Sequence, residues 1–454
     1  MRRRGIEFIL MLPLLAFFTH CQNMGRTMSI TSIDPSGGST LGGHEVTISG
    51  RNFPEGSVPV VTFGAGSATV VSVTSTAIVV TTPASTGGVT EAVDVTVTDA
   101  LGKSAESKGG FTYRTMLFAT NKGASDASQF DFNRETPLLE EFTTSPTPTG
   151  GATPTDIRVD EVSQLAFMTN FIQAISVMSY SFADGSLTPV AGSPFQVTGA
   201  AGLNAVAVDP VHHLIFTANG TTNDVSSYTY DPDTGELSLF EHEEVTGGTF
   251  PQDIAVDPAR MLIFVVNSGS NNMAAFRYDA SGDMEMDKSS PFDVGGKKPV
   301  AIDIDATRSH LFVALETSAV IESISYDTTG KLTSLDTISS AGTLPSDVAV
   351  DPSSGLVFVV NRNQVNNGTL KGFEVDADGT MTPAAGQPIG TGGDSPSAVV
   401  LDKAGLFAFV SNSGANTGIA TIAPFSYLSD GTLTEAQNPV DAGGTLTSMM
   451  AFVP

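Results

Sequence analysis

Asp253-Ile254-Ala255-Val256-Asp257, with the apolar run Leu262-Ile263-Phe264-Val265-Val266 ending at Asn267 ten positions beyond its last residue, decides the fold because the chain repeats it. The same pattern runs from Asp156 to Asp160 with Asn170, from Ala205 to Asp209 with Asn219, and from Ala301 to Asp305 with Leu315. It returns from Asp347 to Asp351 with Asn361 and from Ala398 to Asp402 with Asn412. A fixed offset between two apolar runs is a strand-turn-strand unit. A third strand and a glycine-bearing hairpin follow, as from Tyr228 to Leu237, from Ile324 to Leu332 and from Phe373 to Met381. The period of about 48 residues suits a four-stranded propeller blade and exceeds that of most solenoid repeats.

Six copies are whole and the seventh is split. Met116 to Asn121 reads as the second strand of a first blade, and Thr447 to Val453, at the other end of the chain, reads as its missing inner strand. A ring closed by strands from both ends has no free edge to aggregate. The expectation is an all-β chain in which a seven-bladed β-propeller occupies residues 115–454.

Working back toward the start, residues 28–114 alternate apolar and polar positions between Gly/Pro clusters, the pattern of a β-sandwich. Pro35-x-x-Gly38, the Gly42-to-Phe53 segment, Val61-Thr62-Phe63-Gly64 and the closing Gly110-Phe111-Thr112-Tyr113 resemble the IPT/TIG family of immunoglobulin-like domains over nearly the whole stretch. Before it, Arg2, Arg3 and Arg4 precede an apolar run from Ile6 to Phe18 with the length and charge of an export signal. Cys21, the one cysteine in the chain, ends that signal; Phe18-Thr19-His20-Cys21 resembles a lipobox, although Phe18 and His20 depart from its usual residues. Residues 1–21 are therefore read as a lipoprotein signal with Cys21 lipidated, and 22–27 as a tether. The implied location is extracytoplasmic, anchored to the membrane through lipid, at the outer membrane or cell surface.

The net charge of −27 argues against nucleic acid as a partner, since such a surface repels phosphate backbones. The propeller repeats, with their Ala-Val-Asp-Pro segments and Tyr-x-x-x-Gly-x-Leu hairpins, resemble the seven-bladed lactonase-like propellers. That group includes bacterial 6-phosphogluconolactonases, and the resemblance implies histidine, arginine and glutamate in the central channel. Histidine is absent from the residues leading into the inner strands, and His212, His213, His242 and His310 read as surface turn residues. No dinucleotide fingerprint, P-loop or zinc spacing appears, so no cofactor is expected.

The candidate ligand-binding residues are Asp156, Asp253 and Asp347, which read as the first residues of inner strands in alternate blades, with Arg158 and Asp303 two positions further along. Inner strands line the axis of a propeller, so these five residues are expected to make the channel polar and to hold a divalent cation or small polar ligand, or else to accept backbone N–H groups at strand starts. The functional expectation is a non-enzymatic surface propeller that binds a protein or carbohydrate partner from host, matrix or envelope. The alternative is an extracytoplasmic lactonase or cyclase.

Overall fold

The computed structural model describes residues 27–454 except 89, 246, 364–367, 387, 403, 405, 416 and 445. Cys21 and the export signal lie outside the described residues. The chain divides into two units, one immunoglobulin-like and one containing the propeller.

In the first, Ser29–Asp34, Glu45–Arg51, Ala77–Thr81 and Thr69–Val73 form one sheet, while Ser104–Arg114, Glu91–Thr98, Val60–Phe63 and Gly66–Ser67 form the body of the other. Alternation puts Val46, Ile48, Val61, Phe63, Ile78, Val80, Val95 and Val97 inside, with Phe63 and Phe111 meeting edge to face at 4.9 Å. Gly50 is required by close approach, because a Cβ there would stand 2.2 Å from the Ser29 carbonyl oxygen and 2.3 Å from the Phe53 ring.

In the second unit each repeat becomes a blade of antiparallel strands running inner, second, third, outer. Blade 2, for example, is Pro154–Asp160, Leu165–Asn170, Ala174–Tyr180 and Leu187–Pro189. The inner strands of blades 3 to 7 are Leu203–Asp209, Pro251–Asp257, Pro299–Asp305, Pro345–Asp351 and Pro396–Asp402, and that of blade 1 is Thr447–Val453. Each inner strand touches the next around a closed ring, blade 7 meeting blade 1 and blade 1 meeting blade 2. Blade 1 is assembled from both ends, Thr447–Val453 pairing with Met116–Asn121. The second strands are buried along their whole length, since neighbouring blades cover both faces, which is why they read as unbroken apolar runs.

The repeated aspartate that ends the inner strands of blades 2 to 7 has two duties. One oxygen accepts the backbone N–H two residues on, as from Val162 to Asp160 at 2.9 Å and from Thr307 to Asp305 at 3.0 Å, and so shapes the turn into the second strand. The other accepts the hydroxyl of the tyrosine that ends the third strand of the following blade: Tyr230 on Asp160 at 2.8 Å, Tyr278 on Asp209 at 2.7 Å, Tyr326 on Asp257 at 2.8 Å and Tyr427 on Asp351 at 3.1 Å. Where the tyrosine is missing an arginine serves instead. Arg308 takes Asp305, and Arg134 grips Asp402 with two bonds at 2.5 and 2.8 Å, tying blade 1 to blade 7.

Candidate functional site: the two-ended channel

The residue immediately before every inner strand lies in the left-handed region: Thr153, Gly202, Phe250, Lys298, Leu344, Ser395 and Leu446 all have φ between 54° and 67°. Only one of the seven is glycine, so sequence gave no sign of the bend. Its carbonyl accepts the N–H of the residue that follows the second strand of the same blade, as from Phe171 to Thr153 at 3.0 Å and from Lys122 to Leu446 at 3.1 Å. This bond recurs in every blade and places one lead-in residue and one loop residue per blade around the mouth of the channel.

Inside that rim the second residue of the inner strand bulges and reaches the next blade. Thr155 donates to the Leu203 carbonyl at 2.7 Å, Asn204 to Pro251 at 2.7 Å, Ser346 to Pro396 at 2.7 Å, Ser397 to Thr447 at 2.8 Å and Ser448 to Pro154 at 3.0 Å. The C-terminal strand thereby carries this belt of side-chain bonds from blade 7 through blade 1 to blade 2. Val300 has no donor to contribute, and Gln252 beside it lines the cavity.

The mouth encloses about 420 Å³ and is walled by Lys122, Lys298, Glu316 and Arg362 above the hydroxyl belt, with Asp156, Asp253 and Asp347 also on its surface. Glu316 is nearly buried and is held by both Lys298 and Arg362, the latter at 2.9 Å. Lys122 stands over the Phe171 ring, 5.8 Å from its centre. Among the described residues, the loops after the second strands and the four residues leading into each inner strand carry Lys122, Lys297, Lys298 and Arg362 against Glu316 and Asp394. The rim of the opening is therefore cationic although the chain's net charge is −27, while the carboxyls of Asp156, Asp253 and Asp347 lie on the same cavity surface below it. Sequence reading missed these residues. The available signal was Leu315-Glu316, where the repeat replaces its usual asparagine and then places a charge.

The five predicted residues are brought together deeper in the channel, but with a structural duty and in a shifted position. The inner strands begin two residues earlier than expected, at Pro154, Pro251 and Pro345, so Asp156, Asp253 and Asp347 are third residues and not first. Each aspartate staples adjacent blades. Asp253 accepts the N–H of Ile254 at 2.8 Å and of Ile302 at 2.9 Å; Asp347 accepts Val348 at 2.9 Å and Val399 at 2.8 Å. Asp303 accepts Ile304 and Val350, both at 2.8 Å, and Asp156 accepts Ile157 at 2.8 Å and Val206 at 2.9 Å. Arg158 donates to Asp156 at 2.6 Å and to the Ile157 carbonyl at 2.9 Å. Among the described residues no group of three or more acidic, histidine or cysteine side chains is arranged to hold a metal ion.

Burial raises the carboxyls of Asp156, Asp253 and Asp347. Asp253 is pushed up to about 7 by desolvation, with Arg158 pulling it down and Asp156 pushing it up. Asp347 is raised well above the ordinary range, again chiefly by burial, opposed by the Val399 and Val348 N–H groups and reinforced by Asp253. A carboxyl that binds its proton more tightly folded than unfolded contributes stability that is complete below the unfolded value of 3.8 and is lost as pH rises through the folded value. Asp253 alone is worth about 4 kcal/mol on this scale. The melting temperature is accordingly expected to fall between pH 5 and pH 8, and Asp253→Asn to flatten that slope. A wild-type profile that rises over this interval would contradict the assignment.

Two histidines depart from the surface-turn expectation. His310 opens the second strand of blade 5 and is buried, and its Nδ1 has no partner. His242 lies on the outer strand of blade 3, between the Ser226 hydroxyl at 2.7 Å and the Thr198 carbonyl at 2.8 Å. Neither lies at the mouth.

Comparison with known proteins agrees with this architecture. The IPT/TIG domain family matches residues 28–113, and the family described as lactonase, 7-bladed beta-propeller, matches residues 113–304 and 312–447. Solved structures similar to the chain include a putative 6-phosphogluconolactonase from Bacteroides fragilis (16% identity, TM-score 0.64), covering 75% of this chain and 98% of that one. The periplasmic gluconolactonase PpgL of Pseudomonas aeruginosa (17%, TM-score 0.63) and a protein from Lactobacillus plantarum (21%, TM-score 0.63) each cover 75% of this chain and 99% of their own. At these identities the likeness is one of fold. No curated protein matches the chain significantly.

Proposed function

Because the chain belongs to the seven-bladed β-propeller lactonase family, with an IPT/TIG domain ahead of the propeller, we propose that it hydrolyses a lactone at the cationic mouth of its channel. The expectation of a non-enzymatic binding propeller has less support than this alternative. One observation carries the reading: a ligand-sized cavity in a strongly acidic chain is walled by Lys122, Lys298 and Arg362 and has, on the same surface, a carboxyl poised near neutrality.

Lactone hydrolysis adds water to the ring carbonyl carbon, places negative charge on the carbonyl oxygen and breaks the ring C–O bond. A base takes a proton from the water and returns it to the departing alkoxide; the new carboxylic acid then loses its proton to solvent. Asp253, at about 7, is matched to that exchange at neutral pH. Lys298 and Arg362, aligned by their shared hold on Glu316, supply fixed positive charge for the developing oxyanion or for an anionic substituent of the substrate.

The test is a panel of sugar lactones, comprising gluconolactone, its 6-phosphate and glucuronolactone, followed by proton release near pH 6.5. Saturable turnover is expected, with Arg362→Ala raising KM more for the 6-phosphate than for the two neutral lactones. No turnover of any member would defeat the proposal. The working location is proposed to be outside the cytoplasm through lipid on Cys21, and Cys21→Ser should release the protein from the membrane fraction. If the variant stays with the membranes, Cys21 is not the anchor.

A further inference from the structure

The channel has a second cavity, at the end where the inner strands finish, of about 500 Å³. Val159, Val350, Val400, Leu401 and Phe452 give it largely apolar walls, interrupted by Glu161 and Asp402, and its polar floor holds Arg158, Asp253, Asp303 and Asp347. We propose that this far cavity, which shares the Asp253 and Asp347 carboxyls with the mouth, binds a small amphipathic cation, an apolar body of roughly drug-fragment size ending in a primary amine or guanidinium.

Three observations carry this independently of the lactone reading. First, size and wall chemistry suit an apolar body, whose removal from water favours binding. Second, the three floor aspartates each have both oxygens engaged by one backbone N–H, which orients the carboxyl and leaves a further lone pair on each oxygen. Arg158 shows how a cation is held there: its guanidinium bonds Asp156 and is attracted by Asp253, Asp347 and Asp303. Carboxyls outnumber guanidinium on this floor, so an added positive group is favoured over an added negative one.

Third, the surrounding face has the opposite charge to the mouth. Antiparallel order puts the hairpins between third and outer strands at this end, and from blades 2 to 7 each carries an acid: Asp184, Asp231, Asp279, Asp327, Asp376 and Asp430. These acidic hairpins steer a cation toward this end. Occupation also bears on the protonation of Asp253, which faces Arg158, Asp156, Asp303 and Asp347: an ammonium beside it favours the carboxylate, so binding strengthens from pH 5 to pH 8.

Calorimetry on the full chain at pH 8 tests this with hexylamine, hexan-1-ol, hexanoate and methylamine as probes. Hexylamine is expected to bind at least ten-fold tighter than each of the others and at least three-fold tighter at pH 8 than at pH 5. Asp303→Asn should cost ten-fold or more. Should that variant fail to melt cooperatively, Val400→Phe, which fills the cavity from its wall, is used and should abolish binding. Equal binding of hexanol would mean an apolar hole without charge preference, and tighter hexanoate would make Arg158 the determinant. Equal binding of methylamine would mean surface charge alone. Each of these outcomes, or hexylamine binding undiminished in Val400→Phe, overturns the site. Arg362→Ala should leave hexylamine binding unchanged, which separates this test from that of the mouth.

Discussion

Deleting residues 447–454 is expected to abolish cooperative folding of the propeller. The lost strand is the inner strand of blade 1, paired along Met116–Asn121, and Met450 and Val453 on it are almost completely buried. Burial of two such side chains is worth about 3–6 kcal/mol, before the strand's backbone bonds are counted. The deletion also removes the Thr447 hydroxyl from Asn121 at 2.9 Å and the Ser448 hydroxyl from Pro154 at 3.0 Å, and exposes strand edges on the open blade. A loss of this size is comparable with the whole stability of an ordinary domain, about 5–15 kcal/mol. Circular dichroism melting and size-exclusion chromatography of the two chain lengths make the comparison. A shortened chain that stays monomeric and melts within a few degrees of the full one would show that closure by both ends is not what holds the ring.

Asp253→Asn is expected to lower kcat/KM for the best lactone by about 10²–10⁴-fold, the usual contribution of a positioned general base. The wild-type pH–rate profile should rise through a limb near 7, where burial has placed this carboxyl, and the limb should vanish in the variant. An asparagine keeps one acceptor for the Ile254 and Ile302 N–H groups but loses the other, so some stability is lost as well. The two effects are separable: melting at pH 5 reports the staple, and the pH–rate profile reports the base. If the limb survives in Asp253→Asn, the base lies elsewhere on the mouth, and Glu316 becomes the next residue to test.

The blades, their number and the split first blade were legible because each depends on chemistry local in sequence. An aspartate that shapes a turn, an apolar run covered on both faces and a glycine hairpin recur wherever the chain makes the same excursion, so a repeat of about 48 residues reports them directly. The closing role of Thr447–Val453 followed because the count of inner strands was one short. The polar channel residues were found for the same reason: Asp156, Asp253, Asp303, Asp347 and Arg158 interrupt a repeated apolar frame. That they accept backbone N–H groups was one of the two readings; the partner strand was not legible, since each aspartate also accepts an N–H from a strand about 50 residues away, and only closure of the ring brings that strand alongside.

The mouth belongs wholly to the tertiary level. Lys122, Lys298, Glu316 and Arg362 come from blades 1, 5 and 6, Lys298 just before an inner strand and the other three just after second strands. What unites them is the left-handed residue and its carbonyl bond, repeated in all seven blades, which turns lead-in and loop inward at every step. Periodicity reveals what every blade shares. Charge at the ends of the channel depends on what the blades do not share, summed across a ring, and that sum exists only once the ring has closed.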